Sequence, residues 1–169
     1  MILANYIRDI KDFPQPGISY KDITPLLSNP AAFREAVAQL SNSLTLKPDK
    51  IVGVESRGFI LGAALADRLG IGFVPIRKKG KLPSQTLQQE YNLEYGTDCL
   101  EIHQDAIQPG EKIVIHDDVL ATGGTAAAAC ELVQQLGGEI IQVSFLIELT
   151  FLNGGEKFDQ HAIFSLLKY

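Results

Sequence analysis

The chain has 169 residues, of which 46% are hydrophobic, so it is long enough to bury the core of one full-sized domain. Its 20 acidic and 15 basic residues give a formal charge of −5, which argues against a general nucleic-acid binder because such proteins need a basic face. Charged residues interrupt the apolar ones in segment 1–13, which therefore predicts neither a signal peptide nor a membrane span. We expect a single cytoplasmic domain over 1–169, with its two cysteines reduced.

The first part of the chain predicts two helices separated by a loop. Apolar residues recur at helical spacing over 2–10, which predicts a short amphipathic helix. The following stretch, FPQPGISYKDITPLL, is rich in proline and predicts an ordered loop. Asn29 and Pro30 are typical of a helix cap and first turn, so a second helix is expected through residue 44.

Strands and helices alternate over the rest of the chain. Compact apolar runs predict five strands, at 51–55, 72–76, 113–117, 139–148 and 162–167. Helices are predicted after the first of these runs, ending at Gly70, and after the third. This alternation predicts an α/β fold with a mostly parallel sheet of about five strands, covered on both faces.

Segment 77–91, RKKGKLPSQTLQQEY, interrupts this rhythm. It is polar and basic and shows no clear period, and its part over 79–91 is long enough to predict a mobile lid loop. The alternating part of the next segment, LEYGTDCLEIHQDAI, predicts an extended ribbon.

Segment 117–125, DDVLATGGT, carries the clearest chemical signal. Its turn leads directly into a predicted helix, where glycine amides and the helix field favour an anion such as a phosphate monoester. Asp117 and Asp118 are hydrogen-bond acceptors when ionised, which suits the hydroxyls of a ribose or a nearby magnesium ion. Segments 55–58 and 77–81 also follow predicted strands, and ligands of parallel sheets bind at such ends.

The segment DDVLATGGT resembles the phosphoribosyl-pyrophosphate (PRPP) motif of type I phosphoribosyltransferases, in the form typical of the adenine-specific members. FPQPGISYKDITPLL resembles the segment that covers the base in that family, and ESRGF resembles a loop that contacts pyrophosphate and base. IRKKGKLP resembles the loop on the pyrophosphate side, and YNLEYG resembles the end of the catalytic lid. These motifs keep the family order along nearly the whole chain.

The resemblance implies a type I phosphoribosyltransferase fold, with a parallel sheet flanked by helices, a lid, and a small hood from about residues 1–28 and the C-terminal end. It implies transfer of 5-phosphoribosyl from PRPP to N9 of adenine, which gives AMP and pyrophosphate in purine salvage. It also implies a homodimer with its contact near the ESRGF helix, and Mg²⁺ that arrives with the substrate, without direct protein ligands.

Matching positions imply a role for each site residue. Glu94 is expected to assist proton removal from the purine, and Tyr95 to position the lid. The expected ribose 5-phosphate ligands are Asp117, Asp118, Ala121, Thr122, Gly123, Gly124 and Thr125. The expected pyrophosphate ligands are Ser56, Arg57, Arg77 and Lys81. The expected adenine contacts are Ser19, Tyr20, Lys21, Arg57 and Val119. The Glu55–Ser56 peptide bond is expected to be cis by the same comparison.

Two other functions stay open from the residues alone. A sibling transferase would use a 6-oxo purine, which favours a donor such as lysine, whereas the 6-amino group of adenine favours an acceptor. A PRPP-sensing regulator without catalysis would need a nucleic-acid-binding face, and the acidic composition argues against one. His116 is expected to be a packed structural histidine and Cys130 a core residue, and no zinc site is expected.

Overall fold

The computed structural model of the protein describes residues 1–93 and 95–169. The strands over those residues are β1 (Arg8–Lys11), β2 (Ser19–Asp22), β3 (Lys50–Val54), β4 (Gly72–Lys78), β5 (Thr86–Asn92), β6 (Thr97–His103), β7 (Lys112–Leu120), β8 (Glu139–Glu148) and β9 (Ile163–Lys168). The α-helices are α1 (Thr24–Ser28), α2 (Pro30–Asn42), α3 (Gly58–Leu69) and α4 (Gly124–Gln135). Short 3₁₀ helices span Leu3–Tyr6, Thr150–Leu152 and Gly154–Phe158.

The main sheet has seven strands in the order β5-β6-β4-β3-β7-β8-β9. The five strands from β4 to β9 in that order are parallel, which confirms the predicted parallel sheet. The antiparallel pair β5–β6 extends it beyond β4. No helix in the described part of the chain is both long and apolar enough to cross a membrane.

Apolar side chains on the two faces of the sheet form two cores. One core contains Val52 and Val54 of β3 together with the buried residues of α4. The other contains Ile51 of the same strand together with residues of α2 and α3. Because successive strand residues point to opposite faces, a continuous apolar run such as β3 supplies both cores.

Two of the predicted helix ends are confirmed by their local contacts. The side chain of Asn29 accepts hydrogen bonds from the amides of Ala31 and Ala32, both at 3.0 Å, and so caps the start of α2. Gly70 ends α3 with a left-handed φ of 66°, a conformation that glycine adopts without steric cost.

The prediction for the N-terminal segment is wrong. Instead of a helix over 2–10 there is one 3₁₀ turn followed by β1, and the predicted loop contains β2 and α1. Strand β1 pairs antiparallel with β2 from Arg8↔Asp22 to Lys11↔Ser19, forming a separate two-stranded sheet. The inter-strand hydrogen bonds override the weak helical spacing of the apolar residues.

The prediction of a lid without regular structure over 79–91 is wrong for residues 86–91. Strand β4 continues to Lys78, and β5 covers Thr86–Asn92. Leu87 and Tyr91 pack against the core, while alternate residues face outward, so a strand period is present in a polar sequence. Only 79–85 remain outside strands in this segment.

Candidate active site

A cavity of about 410 Å³ lies where the carboxyl ends of β3, β4 and β7 meet. Its lining combines acidic, basic and small residues: Glu55, Ser56, Arg57, Lys78, Tyr91, Leu100, Asp117, Asp118, Val119, Ala121 and Thr125. This is the sheet edge at which parallel α/β folds bind ligands. Seven of these residues, all but Glu55, Lys78, Tyr91 and Leu100, are among those predicted from the sequence.

The acidic pair lies within β7, two residues before the strand ends at Leu120. Asp117 accepts a hydrogen bond at 2.8 Å from the backbone amide of Asp118, and the side chain of Asp118 is only 8% exposed. Burial, together with the adjacent Asp118 carboxylate, raises the pKa of Asp117 well above its usual range. Ionisation of both carboxyls together is therefore unfavourable, and the pair still offers acceptor oxygens to hydroxyl groups.

Arg57 connects the acidic pair with the N-terminal hairpin β1–β2. Its Nε lies 2.8 Å from Oδ2 of Asp118, and its Nη1 donates a hydrogen bond to the hydroxyl of Tyr20. The guanidinium carbon is also 5.1 Å from the centre of the Tyr20 ring, within cation–π range. Arg57 follows the Glu55–Ser56 peptide bond, which is cis as predicted.

Glu55 binds cations at the end of β4 and in the turn that follows it. It accepts hydrogen bonds from Arg77 Nη2 at 2.8 Å, from Lys81 Nζ at 2.9 Å and from the backbone amide of Lys78 at 2.8 Å. Burial alone would raise the pKa of Glu55, but these hydrogen bonds and charges outweigh it and lower the pKa to about 2. Arg77 and Lys81 thus lie beside the cavity, held by a carboxylate that lines it.

The turn between β7 and α4 has the geometry of an anion site. Residues 121–125 line a second, smaller cavity of about 80 Å³ together with Asp117 and Val119. Gly123 adopts φ 85°, and in the described structure no side chain caps the start of α4. The first amides of this helix are therefore available to a phosphate, and the helix field favours its charge.

The hairpin β5–β6 closes one side of the cavity. Tyr91 of β5 donates a hydrogen bond at 3.3 Å to Asp98, and its hydroxyl also lies beside the side chain of Thr125. Asp98 in turn pairs with Lys78. The carbonyl oxygen of Asn92 would be 3.5 Å from a Cβ on Gly124, so the hairpin lies against the start of α4.

Among the residues predicted to be catalytic, Glu94 lies outside the described part of the structure. Tyr95 is 89% exposed, beyond the end of β5, so its ring makes little contact with the protein. Their predicted roles remain predictions.

The predicted adenine contacts divide between the two faces of β2. Ser19 and Lys21 direct their side chains to Asp9 of β1, whereas Tyr20, on the opposite face, reaches Arg57. Lys21 also lies 4.1 Å from the centre of the Tyr169 ring. Of the β2 residues, Tyr20 is therefore the one connected to the cavity, while Val119 lines it from β7.

Four residues that line the cavity had no individual role predicted from the sequence: Glu55, Lys78, Tyr91 and Leu100. Glu55 belongs to the ESRGF motif, and its position at a strand end is a signal for a charged role. Lys78 belongs to the basic run that begins at the end of β4, and Tyr91 shares the alternating inward face of β5. Neither signal could be interpreted without the pairing of β4 and β5 with β6.

The remaining predictions concern histidine, cysteine and metal. His116 is fully buried, with Nδ1 2.9 Å from Ser144 Oγ, which confirms a packed structural histidine. Both cysteines are free, and Cys130 is buried in the core as predicted. Over 1–93 and 95–169, no group of three or more histidine, cysteine or acidic residues has the arrangement of a metal site.

Comparisons with known proteins agree on one family of relatives. Residues 21–166 match the family described as the phosphoribosyl transferase domain. Relatives named adenine phosphoribosyltransferase are 56% identical in Christiangramia forsetii, over 100% of this chain and 99% of the relative, and 58% in Alkaliphilus metalliredigens, over 100% of both.

Solved structures give the same result. The crystal structure of adenine phosphoribosyltransferase from Thermoanaerobacter pseudethanolicus has a TM-score of 0.96 and 52% identity, covering 99% of this chain and 98% of its own. The Saccharomyces cerevisiae enzyme, complexed with an imino-altritol bisphosphate and adenine, has a TM-score of 0.94 and 42% identity, covering 97% of this chain and 96% of its own.

Proposed function

Because this chain belongs to the phosphoribosyltransferase family, we propose that it transfers the 5-phosphoribosyl group of PRPP to N9 of adenine, releasing AMP and pyrophosphate. The observation that carries this proposal is one cavity bordered by three kinds of group. An acidic pair stands at its floor, an uncapped helix start at one end, and the cations held by Glu55 at the other. A sugar with a phosphate and a pyrophosphate matches that order.

The ribose 5-phosphate half of the substrate would occupy the β7–α4 turn. Amides and hydroxyls of residues 121–125 would hold the 5′-phosphate, and Asp117 and Asp118 would accept hydrogen bonds from the ribose hydroxyls. Holding the sugar at both ends orients its anomeric carbon toward the base, which removes much of the entropic barrier to reaction.

The pyrophosphate half would meet Ser56, Arg57, Arg77 and Lys81. Cleavage of the anomeric C–O bond places more negative charge on the leaving pyrophosphate, so cations fixed beforehand stabilise that charge. Glu55 would keep Arg77 and Lys81 oriented before the substrate binds, since both already donate to it. Lys78, which lines the cavity, adds a further cation.

The base would lie between Tyr20 of the hairpin β1–β2 and Val119 of β7. An aromatic ring provides a stacking face, and backbone groups near Ser19 would read the edge of adenine, with Lys21 adjacent. Glu94 would assist removal of the purine proton, and Tyr95 would position the lid over the cavity. A closed lid excludes water, which otherwise hydrolyses PRPP.

Mg²⁺ would arrive with PRPP rather than on a protein site of its own. This ion typically keeps one or two carboxylate contacts and binds through substrate phosphates, which suits the single acidic pair of the cavity. When bound, Mg²⁺ neutralises part of the pyrophosphate charge. Asp117 and Asp118 would face the substrate-bound ion.

Further parts of the proposal concern organisation. A single domain over 1–169, a hood formed by the N-terminal segment 1–28, a homodimer through the region of α3 and a cytoplasmic location are proposed together. Two free cysteines are in keeping with a reducing compartment.

The decisive experiment supplies the protein with PRPP and each of adenine, hypoxanthine, guanine and xanthine, with and without Mg²⁺. We expect AMP and pyrophosphate from adenine, and much less product without the metal. Turnover of guanine or hypoxanthine exceeding that of adenine would replace the proposal with the sibling activity. Binding of PRPP without any product, together with specific nucleic-acid binding, would favour a regulator.

A further inference from the structure

We propose that Gly154 and Lys157, on the 3₁₀ helix Gly154–Phe158, are positioning residues that set the shape of the phosphate-binding turn 121–125 from behind. This inference rests on the proposed function of that turn. Sequence motifs assign no role to either residue, and neither lines the 410 Å³ cavity. Their action on the substrate would be indirect, through the backbone of the turn.

Gly154 is in direct backbone contact with the turn. A Cβ at this position would lie 2.2 Å from the carbonyl oxygen of Ala121 and 3.1 Å from the amide nitrogen of Gly123. Conversely, a Cβ on Gly123 would lie 2.6 Å from the carbonyl oxygen of Gly154. Both neighbours are backbone atoms, so a side chain could be accommodated only if the turn itself moved.

Lys157 contacts the same turn through the carbonyl group of Thr122. Its Nζ donates a hydrogen bond to the carbonyl oxygen of Thr122 at 2.8 Å, and its Cδ would be 3.3 Å from a Cβ on Gly123. An anion site needs amides directed at the ligand and carbonyls directed away from it. By engaging the Thr122 carbonyl, Lys157 favours the conformation in which the amide side is left for the phosphate.

The helix Gly154–Phe158 is itself fastened to the core. Phe158 is 2% exposed, and its ring centre lies 6.3 Å from that of Phe145 in β8. Phe145 also lines the small cavity beneath the turn. Because Phe158 is packed in the core, the helix is held in place, and the contacts of Gly154 and Lys157 fix the turn relative to it.

The chain provides a matched control for the glycine. Gly155 is next to Gly154 in the same 3₁₀ helix, but a Cβ there would have Glu148 Oε1 at 3.8 Å as its nearest neighbour, an ordinary contact. We expect Gly154→Ala to raise the KM for PRPP about tenfold or more, because small displacements of a binding group have large effects on catalysis. The KM for adenine should change less than twofold, and Gly155→Ala should leave both unchanged.

A second pair of variants keeps the inference testable if Gly154→Ala does not fold. Lys157→Gln removes the ammonium that donates to Thr122 and leaves a shorter, neutral side chain, whereas Lys47→Gln makes the same change at an exposed site before β3, at the end of the sheet opposite the cavity. We expect only Lys157→Gln to weaken binding of ribose 5-phosphate, by about threefold or more.

Calorimetric titration with ribose 5-phosphate separates this inference from the proposed function. If the wild type binds the sugar phosphate but makes no AMP, the proposed function fails, and weaker binding by Gly154→Ala or Lys157→Gln still supports the positioning role. If the folded Gly154→Ala and Lys157→Gln variants bind ribose 5-phosphate as tightly as their controls, the inference is wrong.

Discussion

The guanidinium of Arg57 and the carboxylate of Asp118 form an ion pair at 2.8 Å that joins the turn after β3 to strand β7. The Asp118 side chain is buried, while that of Arg57 is partly exposed. Arg57 also donates to Tyr20, so one side chain connects the acidic pair with the N-terminal hairpin. Any change at this pair therefore affects both the ribose end and the base end of the cavity.

We expect Asp118→Asn to lower kcat/KM for PRPP by about 100-fold, because one of two acceptor oxygens for a ribose hydroxyl and the negative charge that pairs with Arg57 are lost together. Stability should fall by only about 1 kcal/mol, since Arg57 keeps access to solvent. Steady-state kinetics and urea unfolding measure the two effects. Arg57→Gln and the double variant complete a mutant cycle, and strictly additive losses in kcat/KM would contradict the coupling.

A test of the acidic pair as a unit replaces both carboxylates. Asp117→Asn combined with Asp118→Asn should abolish most use of PRPP, since amides retain the volume but lose the charge that orients the sugar hydroxyls. The AMP assay at saturating adenine measures this loss. Full-rate AMP formation by the double variant would remove the pair from the mechanism.

Glu55 should contribute stability that depends on pH. Its pKa is about 2 in the folded protein and about 4.5 in the unfolded chain, so the unfolded state binds the proton first as pH falls. The stabilisation is therefore present above about pH 4.5 and is lost as the pH falls toward 2. Glu55→Gln should lower the free energy of unfolding by about 1–2 kcal/mol at pH 7, a value reduced because both cationic partners are half-exposed.

Urea unfolding of the wild type and Glu55→Gln between pH 2.5 and 7 measures that difference. Glu101→Gln is a suitable control, because this buried acid of β6 accepts from Gln88 and the Gly80 amide but has no salt-bridge partner among the described side chains. A Glu55→Gln difference that stays constant down to pH 2.5 would show that the ion pairs do not stabilise the fold.

The PRPP motif could be predicted because its chemistry is local. Acidic pair, glycine turn and helix start follow one another within residues 117–125, and the apolar run before them fixes a buried strand. The five parallel strands were predictable for the same reason, since each is a compact apolar run. The strong local signals were therefore correct, whereas the weak helical spacing over 2–10 was overridden by the pairing of β1 with β2.

Features that depend on pairing between distant segments could not be predicted. The carboxylate of Glu55 reaches Arg77 and Lys81 because β3 and β4 align so that the Glu55 amide donates to the carbonyl of Ile76 at 2.9 Å. Likewise, the pairing of β1 with β2 decides that Lys21 faces Asp9. Neither register is encoded in the residues of a single segment.

We expect Glu94→Gln to reduce kcat by about 100-fold while leaving the affinity for PRPP within about twofold, because a general base acts on the purine proton in the transition state. Pre-steady-state kinetics with adenine and a separate titration with PRPP measure the two quantities. Glu90→Gln is the matched control, since Glu90 is an exposed acid on β5, four residues earlier in the chain. Equal turnover of Glu94→Gln and wild type would exclude the proposed role.

His116 should make the protein sensitive to mild acid. Burial lowers the pKa of His116 to about 4, whereas the unfolded chain has the ordinary value of 6.5, so protons bind preferentially to the unfolded state between those values. The stability that depends on neutral His116 is thus fully present above about pH 6.5. It falls as the pH drops to 4, by up to about 3 kcal/mol at 1.36 kcal/mol per pKa unit.

Replacing His116 by leucine tests this because leucine has a similar volume and no proton to bind. Ser144, its hydrogen-bond partner, keeps a contact of 3.4 Å to the carbonyl oxygen of Ile115, so its hydroxyl is not left unpaired. We expect His116→Leu to lose less stability than wild type between pH 6.5 and 4, measured by urea unfolding. The control His161→Leu, at a partly exposed site before β9, should follow the wild-type curve. If the stability of wild type and His116→Leu falls in parallel between pH 6.5 and 4, then His116 is not the cause of the acid sensitivity.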